Sequence, residues 1–223
     1  MSENMKKYYN ELFMNKKDNT EKIFEDVSND FKKNINQNFE KLIQDKYALD
    51  LGYGYGNYTI FLAEKGYNVD AIDIVKPYWL KNRIKNNETL KKNINIYSSD
   101  IRNIVLKKKY SIVVAKDVLH YLKIDELQEI LYKIKKNTAK RSIIYIVMFA
   151  DIKRRDRDGN IKLIENEANL SEHNVVEIIN KIFTKCVILT NIENYREKEK
   201  YNNKYKYYFE AKRISFVIKR GCL

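Results

Sequence analysis

Three of the six glycines in this 223-residue chain fall within five positions. Gly52, Gly54 and Gly56 follow directly on the apolar run Tyr47-Ala48-Leu49-Asp50-Leu51. Glycines this scarce and this clustered mark a place where main chain must come close to something. The run before them reads as a short buried strand, and Asn57–Lys65 after them reads as a helix. A strand, a glycine turn and a helix N-terminus form a site for a small ligand in an open α/β sheet.

From Tyr47 onward, apolar strands and amphipathic helices alternate. The strands expected are 47–51, 68–73, 94–98, 110–116 and 142–149, with helices between them. Pro77 suits the first residue of one helix. Ile124, Leu127, Leu131 and Ile134 mark the apolar face of another, and Val175, Ile179, Ile182 and Phe183 that of a third, capped by Ser171. Continuous Val/Ile-rich strands separated by helices argue a parallel sheet covered on both faces. The end of the chain differs. Residues 185–194 and 211–219 read as strands with no helix between them, so they must run antiparallel. The expectation is an α/β, Rossmann-like sheet of seven mostly parallel strands with helices on both faces and a C-terminal antiparallel hairpin. Residues 1–46 add an N-terminal helical arm before a domain of 47–223. Phe24, Val27, Phe31, Ile35, Phe39, Leu42 and Ile43 step by three or four residues along one face of that arm, and Asp18 with Glu21 is a fitting cap pair. Residues 151–170, with Asp158-Gly159-Asn160 as a turn, read as a non-periodic, lid-like segment.

Bulk properties narrow the function. Hydrophobic residues make up 44% of the chain, which excludes a disordered protein. No apolar run reaches the length needed to span a bilayer, and the N-terminus has no signal-like apolar core, so a cytoplasmic protein with no membrane partner is expected. Cys186 and Cys222 offer neither metal-ligand spacing nor a disulfide framework, so no metal is expected. The net charge of +13 lies entirely in residues 47–223, since 1–46 carry nine basic and nine acidic residues. Such a balance can serve a polyanionic partner, or it can follow from a composition rich in Lys, Asn, Ile and Tyr.

The ligand can be narrowed further. A nicotinamide-binding turn wants G-x-G-x-x-G, but position 57 is Asn57 and the spacing here is G-x-G-x-G. Asp73 ends the second strand, where a carboxylate can accept both hydroxyls of a ribose. Asp100 follows the third strand, where a carboxylate can accept from an adenine amino group. The fourth strand runs into Lys116-Asp117-Val118-Leu119-His120-Tyr121. All of these stand at carboxyl ends of consecutive parallel strands, where open α/β sheets bind ligands.

In Asp50-Leu-Gly-Tyr-Gly-Tyr-Gly, Asp73, Ser99-Asp100 and Val118-Leu119-His120-Tyr121, the chain resembles the class I S-adenosylmethionine-dependent methyltransferases. The nearest group is the small-molecule enzymes of the tellurite-resistance and ubiquinone type. The resemblance spans residues 45–150 by motif and the remainder by layout. It implies that Gly52, Tyr53, Gly54 and Gly56 line the methionine part of S-adenosyl-L-methionine and that Asp50 supports that loop or meets the amino group. It further implies Asp73 and Ile74 at the ribose, Asp100 and Ile101 at the adenine, and Lys116 and Asp117 beside the sulfonium. Tyr53 departs from the small residue common there. The implied reaction is in-line methyl transfer to a small-molecule acceptor, and the Lys, Arg and Tyr content of the flanking segments leans toward an anionic or aromatic one. No catalytic residue is assigned. His120 and Tyr9 are the candidates, although His120 is better suited to packing at the strand end. The alternatives are an RNA methyltransferase acting on ribose or a ring nitrogen, and a non-catalytic cofactor-binding domain. Against base-amine methylation, position 116 onward lacks the Asn/Asp-Pro-Pro-aromatic pattern.

Overall fold

The computed structural model describes residues 26–42, 46–155, 159–161, 167–197 and 209–221. The cap pair expected at Asp18 and Glu21, Tyr9, and residues 198–208 of the C-terminal connection lie outside these residues, as do 156–158 and 162–166 of the lid-like segment.

Seven strands form one sheet: β1 (Tyr47–Leu51), β2 (Asn68–Asp73), β3 (Ile94–Ser98), β4 (Tyr110–Lys116), β5 (Thr138–Arg154), β6 (Val187–Glu197) and β7 (Phe209–Arg220). Their order across the sheet is β3-β2-β1-β4-β5-β7-β6. The first five pair in parallel, and β7 runs antiparallel between β5 and β6. The order reverses between β1 and β4, and this topological switch opens a crevice above their carboxyl ends.

Helices cover both faces. On one side pack α1 (Asn29–Leu42), α2 (Asn57–Glu64), α3 (Tyr78–Ile84) and α4 (Glu88–Asn93). On the other pack α5 (Ile124–Asn137) and α6 (Glu172–Ile182). The strands alternate to match. Ala48, Ile112 and Tyr145 belong to the first core, and Leu49, Val113 and Ile144 to the second. Among the expected apolar face positions, Val175, Ile179, Ile182 and Phe183 are buried as expected, and Ser171 caps α6 by accepting from the Asn174 N–H. Ile124 is 47% exposed, because it is the first residue of α5 and reaches past the sheet.

The part of the N-terminal arm described here, α1, is built into the core. Phe31 and Ile35 are fully buried. The Phe31 ring sits 5.1 Å from Tyr58 and 5.0 Å from Tyr145. Between β2 and β3 the chain makes two short helices. Asn87 ends one and caps the next, its side chain accepting from the Leu90 N–H at 3.0 Å.

β5 is longer than its apolar run. It continues through Asp151-Ile152-Lys153-Arg154, which read as loop because three of these four residues are charged and a bulge lies between Ala150 and Lys153. Ile152 turns inward onto Phe209 and Ala211. β4 stops at Lys116, opposite Val147. β5, β7 and β6 therefore rise together for about 20 Å beyond it, at ~3.3 Å per residue, and form a three-stranded wall beside the crevice.

Candidate active site

The crevice above β1, β2 and β4 has a volume of about 300 Å³, at the lower end of the range for small-molecule sites. Its floor is the glycine turn. Gly52 and Gly56 hold φ of +71° and +81°, a region that L side chains rarely adopt. A Cβ on Gly52 would come within 2.7 Å of the Val118 Cβ, and one on Gly56 within 2.5 Å of a Leu80 methyl. The close approach that the glycines permit is thus partly to the protein's own side chains. The Gly54 N–H donates to Asp73 Oδ2 at 2.8 Å, locking the turn onto β2. Arg83 of α3 clamps the far end of the turn, donating to the Tyr55 carbonyl at 2.7 Å and to Asn57 Oδ1 at 2.5 Å.

Two carboxylates stand in this floor. Asp73 is 8% exposed. Its Oδ1 accepts the Val75 N–H at 3.0 Å, and its Oδ2 that of Gly54. Burial raises its carboxyl above the ordinary value, against the lowering effect of these hydrogen bonds. The Ile74 N–H is a third backbone donor to this carboxylate, which still lines the crevice, where a ligand hydroxyl can reach it. Asp50 is buried beneath the turn and accepts from the Thr59 hydroxyl at 2.5 Å. Burial pushes its carboxyl up to about 7; the Thr59 hydrogen bond opposes this and the Asp73 charge adds to it.

At the β3 side, Asp100 lines the crevice but is also engaged by Arg102, whose Nη2 lies 2.6 Å from Oδ2. Burial alone would raise the Asp100 carboxyl, but Arg102 outweighs it and holds the group below its ordinary value. Asp100 also caps the short turn Ile101–Asn103. At the other end stand Lys116 and Asp117. Lys116 Nζ meets Asp117 Oδ2 at 2.6 Å, and Arg213 of β7 reaches the same oxygen at 3.3 Å. Asp117 holds φ of +55°, and its Oδ1 accepts no hydrogen bond among the described residues.

Asp50, Gly52, Tyr53, Gly54, Asp73, Ile74, Asp100, Ile101, Lys116 and Asp117 all line the crevice. Gly56 does not; it caps α2 behind the turn. His120 does not line it either. The imidazole is buried against Tyr121 and Phe149, with ring centroids 4.0 and 5.1 Å away, and neither nitrogen has a hydrogen-bond partner among the described residues. Burial, and then the charge of Arg154, pushes it down to about 3, so it is neutral. The sequence reading placed Val118 and Tyr121 in the motif after β4 without a site role; Tyr55, Asn57, Tyr58 and Val75 line the crevice too, and Val118 and Tyr121 with Leu122 close it after β4. Their apolar spacing after a predicted strand was the available signal.

An adenosyl cofactor with an amino-acid tail fits this donor set. Tyr53 is 5% exposed, lines the crevice, and its hydroxyl makes no hydrogen bond among the described residues. Burial and the carboxylates of Asp73 and Asp50 push that hydroxyl up, so it remains a protonated donor. A buried polar group without a partner costs stability until a ligand supplies one.

The profile of the tellurite resistance protein TehB family matches residues 5–163, more than half of the chain. No curated protein sequence matches it. Among solved structures, TehB from Haemophilus influenzae is 18% identical with a TM-score of 0.60, covering 96% of this chain and 67% of that one. A methyltransferase from Methanosarcina mazei is 14% identical with a TM-score of 0.59, covering 89% and 100%. The N-methyltransferase NodS from Bradyrhizobium japonicum WM9, solved with S-adenosyl-L-homocysteine, is 13% identical with a TM-score of 0.53, covering 95% and 98%. At such identities these structures speak for the fold alone. The chain belongs to the tellurite-resistance TehB family of class I S-adenosylmethionine-dependent methyltransferases.

Proposed function

We propose that the crevice binds S-adenosyl-L-methionine and that the chain catalyses in-line transfer of its methyl group to a small-molecule acceptor. When bound, the cofactor supplies an activated methyl on a sulfonium, so the protein's task is alignment and exclusion of water. Asp73 carries the ribose through its carboxylate, which its backbone donors hold at the crevice. Asp50, ionised by a neighbouring ammonium, holds the amino-acid tail over the glycine turn, and the Tyr53 hydroxyl donates to the tail's polar end. Ile101 and Val75 give the adenine apolar contact, with Asp100 at its edge. Val118, Tyr121 and Leu122 keep water from the reacting end. The observation that carries this reading is the buried Asp73 carboxylate, tied to the glycine turn and still open to the crevice.

Calorimetric titration with S-adenosyl-L-homocysteine tests it. Saturable one-to-one binding is expected, weakened by about tenfold to a hundredfold in Asp73→Ala, the loss of charge-assisted hydrogen bonds. No heat of binding, or an affinity unchanged in Asp73→Ala, contradicts it.

A further inference from the structure

The glycine turn is anchored at two ends, and the anchors come from different elements. Its near end is tied to β2. The Gly52 N–H donates to the Ile72 carbonyl at 2.7 Å, and the Gly54 N–H to Asp73 Oδ2 at 2.8 Å. Its far end, residues 55–57, is held by three side chains of the seven-residue helix α3. Arg83 Nη1 donates to the Tyr55 carbonyl at 2.7 Å and to Asn57 Oδ1 at 2.5 Å. Trp79 lies one helical turn earlier and so on the same face. Its ring meets that of Tyr55 edge-on, with centroids 5.9 Å apart. Leu80 packs against Gly56, and with Ile84 it is buried and seats the helix on the core. The far end borders the crevice, because Tyr55, Asn57 and Tyr58 line it, whereas Arg83 is not among its lining residues. Beneath that end lies Asp50, which accepts from the Thr59 hydroxyl in the first turns of α2.

Resting on the reading of the crevice as the cofactor site, we propose that Arg83 is a positioning residue for the cofactor's amino-acid tail. In that reading Asp50 meets the tail's ammonium, so the tail passes over the end of the turn that α3 holds. The ribose, at Asp73, sits over the end that β2 holds. Arg83 acts through the Tyr55 carbonyl and the Asn57 side chain, and so fixes the path of the main chain between them. That path needs an outside hold. Tyr55 stands between Gly54 and Gly56, both at positive φ, and glycines on either side leave the main chain free to take other paths. Without the clamp only a fraction of molecules presents the turn ready-made, and tail affinity falls by that fraction. The adenosine half, held at the near end, keeps its hydrogen bonds. Sequence hides this role, because Arg83 lies among Lys76, Lys81 and Lys85 and reads as one more solvated cation.

The test compares two ligands that differ in the tail. S-adenosyl-L-homocysteine and 5′-methylthioadenosine, which lacks the amino-acid part, are titrated calorimetrically into the parent chain and into Arg83→Met and Arg83→Gln. Both variants should bind S-adenosyl-L-homocysteine about tenfold or more weakly than the parent, the loss of a charged donor from two acceptors. Their affinity for 5′-methylthioadenosine should stay within about threefold of the parent's, since the near end of the turn is untouched. Lys85→Met removes the same charge from the exposed end of α3 and should bind both ligands as the parent does. The proposal is overturned if the Arg83 variants bind S-adenosyl-L-homocysteine as the parent does, or if they lose both ligands by the same factor, which marks a general structural role. It is overturned too if Lys85→Met loses S-adenosyl-L-homocysteine to the same extent, which marks attraction by net charge. Failure of the cofactor reading itself is seen separately, in the parent chain, before any variant is compared.

Discussion

At the scale of single residues, position along a strand decides what a carboxylate does. β2 carries two buried aspartates three residues apart. Asp70 is saturated by Asn95, Lys108 and Tyr110 at 2.8–2.9 Å, and its role is structural. Asp73 stands at the carboxyl end and faces the crevice. Sequence separates them only through the rule that ligands sit at strand carboxyl ends, and here that rule selects Asp73. Asp50 leads to a pH prediction. Its carboxyl is raised by burial to about 7 from an ordinary 3.8. The unfolded chain loses that proton first, so this group weakens the ligand-free fold as pH rises from about 4 to about 7. Cofactor binding that prefers the ionised form should tighten over the upper part of the same window. Homocysteine-cofactor affinity is therefore expected to rise between pH 6 and pH 8, and Asp50→Asn should flatten that dependence. His120 carries the opposite sign. Burial and Arg154 depress it to about 3, so the unfolded chain takes up a proton below its ordinary 6.5 while the folded chain does not. Stability from this group is present above pH 6.5 and is lost as pH falls toward 3. His120→Leu should recover about 2 kcal/mol at pH 5 and little at pH 8, read from denaturant melts. A loss of stability at pH 5 would contradict the neutral, unpartnered imidazole.

At the scale of elements, the glycine turn is where sequence and packing meet most tightly. Its spacing was legible because few other reasons exist for three glycines so close together. The contacts behind Gly52 and Gly56 were not, because Val118 and Leu80 come from distant segments. Gly52→Ala should destabilise by roughly 2–4 kcal/mol, combining positive-φ strain with overpacking against Val118. Val118→Ala in the same chain should return the packing share and leave about 1–2 kcal/mol of backbone strain. Equal stability of the single and double variants would show that the contact is not made. The strand positions were readable from β-branched runs, since the interior parallel strands β1, β2, β4 and the lower part of β5 leave an almost uninterrupted apolar record. The upper half of β5 was not readable. There the strand leaves the core, gains polar residues on its exposed face, and is held by pairing with β7, which no local pattern records.

At the scale of the whole molecule, a basic chain encloses an acidic crevice. Composition left open a polyanionic partner or a plain surplus of lysine; the lining carboxylates argue that the positive charge belongs to the outer surface, where it governs solubility and non-specific attraction. Topology explains the separation. The parallel strands deliver Asp50, Asp73 and Asp117 to one end of the sheet, while of the lysines only Lys116 lines the crevice among the described residues. The same topology stands the β5-β7-β6 wall beside the reacting end, so one sheet supplies both the cofactor floor and the aromatic flank. The most direct measurement of this account is a crystal structure with S-adenosyl-L-homocysteine bound. It should show both ribose hydroxyls within hydrogen-bond distance of Asp73 and the sulfur directed at Asp117 and Tyr121. A sugar bound away from Asp73, or a sulfur directed away from the β4 end, would contradict it.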